Sequence, residues 1–142
     1  MNDDLVERTI LVAARHFDAT PIVLAYVYGS RAWGTPREAS DLDLGYCLAP
    51  GAGPGRLPLR DELALADRLS AALGVDVDLR PLTDAPLALR GRVVERGRRV
   101  YCRDEVTRVA FESETLSRYH DYKPELEALR ELRFASAAMR KG

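Results

Sequence analysis

The chain has 142 residues, 46% of them hydrophobic and 30% charged, a composition that excludes intrinsic disorder and suits one domain with a real core. Its 21 basic and 22 acidic residues leave a net charge of −1, which argues against a stable grip on nucleic acid or on an anionic membrane. No apolar run approaches the roughly 20 residues that span a bilayer, and the acidic start MNDDLVERTI lacks a signal-peptide pattern, so the sequence reads as cytoplasmic.

From Asp3 to Phe17, Leu5, Ile10, Leu11, Val12 and Ala14 form a helical stripe, broken by Thr20-Pro21. Ile22 to Tyr28 is a short apolar run ending at Gly29, the pattern of a buried strand. Residues 30–39 contain Gly34, Thr35 and Pro36 and read as a short helical turn and a loop. Asp41 to Leu48 is a second strand, and residues 50–58, with three glycines and three prolines, form a surface loop. Leu59 to Leu73 is an amphipathic helix stopped by Gly74. Val75 to Leu82 alternates as a third strand. Ala85 to Arg96 is a helix ended by Gly97, and Arg99 to Cys102 is a fourth strand. From Asp104 the chain is helical to its end, with an interruption near Pro124, which can open a final helix. Val109, Leu116 and Tyr119, then Leu126, Leu129, Leu132 and Phe134, suggest two apolar stripes in this region. Strands alternating with helices indicate an α/β or α+β domain. Cys47 and Cys102 sit in apolar runs and read as reduced core thiols; His16 and His120 have no metal-ligand companions.

The chemistry concentrates in YGSRAWGTPREASDLDLGYCL, residues 28–48. Gly29 permits close approach of a ligand to the backbone, and Ser30 opens a turn whose free N–H groups suit phosphate. Asp41 and Asp43, two apart on a strand, leave the same face, while Leu42 and Leu44 leave the other. Carboxylates held this close repel unless a cation lies between them, and hard oxygen donors suit Mg²⁺. In VDVDLRPL, Asp76 and Asp78 again share one face, and periodicity does not choose between them. Arg31 and Arg37 flank the glycine-serine step, and Trp33 lies in the same loop.

Together, Gly29-Ser30, ten further residues, Asp41-x-Asp43 and Val77-Asp78-Leu79 resemble the signature of the DNA polymerase beta-like nucleotidyltransferase superfamily. YGSRAWG, SDLDL and GRVVERGRRVY are similar to its minimal members, the MNT antitoxins of HEPN/MNT toxin–antitoxin pairs. The resemblance implies an α+β fold with a small mixed sheet of about four strands flanked by helices. A nucleotidyltransferase core would occupy residues 1–103. A helical extension, residues 104–142, would pack on that core or dock a partner.

It further implies that Gly29, Ser30 and Arg31 bind the nucleotide. Asp41, Asp43 and Asp78 would be the catalytic, metal-binding carboxylates for two Mg²⁺ ions, with ATP as substrate. Asp78 is preferred as the third carboxylate on the VDL match alone, and Asp76 remains the second choice. With 40 residues after Cys102, the acceptor is expected on another protein. The implied function is that of an antitoxin in a type VII-like pair, transferring AMP from ATP to a tyrosine of a HEPN ribonuclease toxin and forming a hetero-oligomer with it. Two alternatives stay open: an antitoxin that neutralises by binding alone, and a stand-alone nucleotidyltransferase for a small molecule.

Overall fold

The computed structural model describes residues 3–29, 41–51 and 53–141. Strand β1 (Ile22–Tyr28) is buried at every position. Such a run belongs at the centre of a sheet covered on both faces. β1 pairs antiparallel with β2 (Leu42–Leu48) on one side and with β4 (Arg98–Cys102) on the other. β3 (Val77–Pro81) joins β2 in parallel, giving a mixed four-stranded sheet of order β3-β2-β1-β4 among the described residues.

Helices cover both faces. On one, α1 (Asp3–Phe17) and α2 (Leu59–Leu73) bring Leu5, Phe17, Leu65 and Leu69 against Ile22, Val27, Leu44 and Tyr46. The inner positions of α2 recur as Leu65, Leu69 and Leu73, one turn apart. Gly74 ends this helix in the left-handed region (φ 73°) and donates its N–H to the Ser70 carbonyl, the stop that the glycine signals in the sequence. On the other face, α3 (Leu87–Arg96) and α4 (Glu105–Lys141) pack Val93, Leu89 and Phe111 over Val23, Tyr26 and Tyr28. α3 and α4 approach closely at Gly91, where a Cβ would fall inside the Tyr119 ring.

The helix α4 departs from the sequence expectation. It continues through Pro124 as one 37-residue helix instead of restarting there. Proline removes one backbone N–H from the ladder, but a new helix would require a fresh and unfavourable nucleation, so long flanking turns can carry the defect. The inward face is Phe111, Thr115 and Tyr119, spaced four apart, rather than Val109, which is exposed. Leu129 and Leu132 are also exposed, while the side chains of Leu126 and Phe134 lie outside the described ones. Tyr26 ties α4 to the sheet by donating its hydroxyl to Glu112 Oε2 at 2.5 Å. Both cysteines are free; Cys47 is buried and Cys102 only partly so, with its thiol on Glu105 Oε1.

Candidate active site

Three side chains line up across three strands. Tyr28, the last residue of β1, is the register partner of Asp43 on β2. Asp43 is in turn the register partner of Asp78 on β3. Adjacent strands lie about 4.8 Å apart, and directly paired residues share a face, so the two carboxylates are neighbours. The apolar residues between them do the anchoring: Leu42, Leu44, Val77 and Leu79 turn to the opposite face and enter the core under α1 and α2. The alternation in SDLDL and VDVDL therefore serves two purposes at once. The leucines hold the strands, and the aspartates meet at the end of the sheet.

The electrostatics reflect this crowding. Asp43 is held above its ordinary carboxylate pKa of 3.8, first by burial and then by the charge of Asp78. The Tyr28 phenol is pushed up to about 12 by burial and by the Asp43 charge. Arg80, two residues beyond Asp78 and on the same face, offsets the repulsion. Its Nε donates to Asp78 Oδ2 and its Nη2 is ion-paired with the same oxygen, each at 2.9 Å. Gly29 completes the wall. It adopts φ +78°, and a Cβ built on it would collide with Asp43 Oδ2, so only glycine lets the chain turn this close to the carboxylate.

The remaining sequence candidates are placed differently. Asp41 is exposed and precedes β2, whose pairing begins at Leu42, and its charge is the weakest influence on Asp43. Asp76 is also exposed and precedes β3; its carbonyl accepts the Leu42 N–H at 2.8 Å. Ser30, Arg31, Trp33 and Arg37 lie outside the described residues. His120 is exposed and pairs with Glu95 on α3. Two neighbours of the pair were missed in the sequence. Arg80 was legible as the next same-face position after Asp78, and Tyr28 as the residue before Gly29, but neither residue type alone signals a site. A groove of about 430 Å³ opens beside Asp78 along the edge strand β3, with Tyr28, Arg80, Leu82, Asp84 and Leu89 in its walls.

Among the described residues no three potential ligands converge. The Asp43–Asp78 pair nevertheless suits a hard divalent cation. Mg²⁺ takes one or two carboxylates and completes its shell with water and substrate phosphates. A guanidinium already sits on one of the two carboxylates, and a backbone without a Cβ borders the other.

A family model described as polymerase beta, nucleotidyltransferase, matches residues 13–106. The chain belongs to the polymerase beta nucleotidyltransferase family. The matched span runs from α1 into the start of α4 and contains the whole sheet. Solved structures extend the likeness of this nucleotidyltransferase beyond the matched span, into α4. A toxin–antitoxin structure with AMP-PNP superposes with a TM-score of 0.66 at 25% identity, covering 94% of this chain and 99% of that one. A MntA–HepT toxin–antitoxin structure gives 0.63 at 25%, covering 92% and 98%. A tri-AMPylated Shewanella oneidensis HEPN toxin in complex with its MNT antitoxin gives 0.65 at 22%, covering 91% and 98%, a likeness of fold. No curated protein matches the sequence significantly. No helix among the described residues is long and apolar enough to cross a membrane.

Proposed function

We propose that this nucleotidyltransferase is a cytoplasmic antitoxin that transfers AMP from ATP to a tyrosine of a HEPN ribonuclease toxin. The observation that carries the reading is the Asp43–Asp78 pair, set against the Gly29 turn in a fold shared along nearly its whole length with a toxin–antitoxin structure holding AMP-PNP. The AMPylated toxin of the Shewanella oneidensis complex suggests the transferred group.

Divalent cations, Mg²⁺ above all, would be held by Asp43 and Asp78 with Asp41 beside them, and would supply charge neutralisation of the triphosphate and a lowered pKa of the attacking hydroxyl. The chain's own residues do the rest. Gly29 keeps the backbone clear of side-chain bulk where phosphates approach, with Ser30 and Arg31 as the neighbouring phosphate contacts. Asp78, at the mouth of the groove, is suited to accept the tyrosine proton. The tyrosine oxygen bonds to the α-phosphorus as the bond to pyrophosphate breaks. Transfer of this kind depends mainly on positioning and charge stabilisation. A bound AMP adds a phosphodiester charge and bulk that would repel RNA from the toxin.

The test is incubation of the purified protein and the product of the adjacent open reading frame with ATP and Mg²⁺, read by intact-mass spectrometry. The partner should gain one or more AMP masses with the wild type and none with an Asp41→Asn/Asp43→Asn double variant. A partner that is neutralised yet unmodified would replace this reading with simple occlusion.

A further inference from the structure

We infer that Arg80 is a positioning residue that serves as a built-in cation for the Asp43–Asp78 pair, and that a divalent metal ion must displace it to bind. The inference rests on the reading of those carboxylates as metal ligands. Its geometry is direct. The guanidinium meets a single oxygen, Asp78 Oδ2, with Nε donating a hydrogen bond and Nη2 in ion-pair contact, each at 2.9 Å. That carboxylate faces Asp43 across the β2–β3 register. The pair is therefore compensated without metal.

Arg80 is placed to leave. Its side chain is 61% exposed, against 35% for Asp78, and it stands on the edge strand beside the open groove. A metal ion bound through Asp78 Oδ2 would compete with the guanidinium for that oxygen, so binding one releases the other. The arrangement sets a cation beside two adjacent carboxylates in the empty enzyme, and it weakens metal binding by the strength of one exposed ion pair.

The test uses Mn²⁺ alone, without nucleotide, titrated into the full chain and followed by electron paramagnetic resonance. Wild type, Arg80→Gln, Arg80→Lys and Asp78→Asn are compared, with thermal denaturation confirming that each is folded. Arg80→Gln should bind Mn²⁺ about two- to fivefold more tightly than the wild type, the range set by an exposed ion pair. The gain should shrink at high salt. Arg80→Lys, which keeps the charge but loses the two-point contact, should shift affinity the same way by less. Asp78→Asn should weaken binding. The direction separates this role from a structural one, because a disturbed site would bind metal less well. Equal or weaker Mn²⁺ binding by folded Arg80→Gln overturns the inference. If neither folded wild type nor folded Arg80→Gln binds Mn²⁺, the metal reading fails and this inference fails with it.

Discussion

Two acidic residues in this protein are shielded from water in opposite ways. Glu62 on α2 is buried, and its carboxylate is satisfied from within: Tyr46 donates its hydroxyl to Oε2 at 2.5 Å and Arg56 reaches Oε1 at 3.1 Å. The same Tyr46 hydroxyl accepts the Leu57 N–H, so the network pins the loop before α2 to the sheet. Asp43 is only half-buried, yet what faces it is a second carboxylate and a glycine without a side chain. A carboxylate surrounded by donors is part of the scaffold. A carboxylate aimed at another carboxylate needs a positive charge, and here the protein offers one exposed guanidinium, that of Arg80 on Asp78.

The comparison is broken most severely at Asp43. Asp43→Asn and Asp78→Asn should each lower AMP transfer by at least about 100-fold, the scale for losing a charge-stabilising group in a transition state. Initial rates with labelled ATP measure this. The apo protein should not lose stability. Because the folded pKa of Asp43 lies above its unfolded value of 3.8, the stabilisation is full below that value. It is lost as pH rises through the raised folded pKa. Asp43→Asn should remove that loss, flattening this part of a denaturation-versus-pH curve.

Glu62→Ala should act in the other direction. It leaves the Tyr46 hydroxyl, which is fully buried, without its acceptor, and should cost about 1–3 kcal/mol of stability by urea denaturation. Gly29→Ala combines a strained positive φ with a collision against Asp43, for about 1–2 kcal/mol and a reduced transfer rate. The smallest effect is expected at Asp76, exposed and outside β3. Asp76→Asn should stay within about 0.5 kcal/mol of wild type and leave most of the transfer activity intact. A transfer defect at Asp76 with none at Asp78 would reverse the proposed assignment.

Much of the scaffold was legible locally. The bounds of α1, β1 and α2 in the structure are those the periodicity and the breakers Pro21, Gly29 and Gly74 indicate. The buried face of α1 is not the expected stripe: Ile10, Leu11 and Ala14 are exposed, and Leu5, Val6, Thr9, Ala13 and Phe17 turn inward. Strand ends were less legible. Extended pairing starts at Leu42 and Val77 rather than at Asp41 and Val75, since a strand ends where its partner does, and that partner is distant in sequence. Pro124 misleads for a related reason: a proline read alone signals a boundary, while a long helix on both sides can absorb it.

The sequence by itself determined the family signature, the alternation that sends aspartates one way and leucines the other, and the glycine where the backbone must turn. Those are properties of spacing and residue type. Periodicity leaves Asp76 and Asp78 equivalent; the parallel register of β3 on β2 sets Asp78, the residue of the VDL match, across from Asp43. Tertiary structure also decided that Arg80 closes on Asp78 and that Glu62, on a helix surface pattern, turns inward to Tyr46. Charges acquire their roles from the partners that folding brings to them, and no local period encodes a partner from another part of the chain.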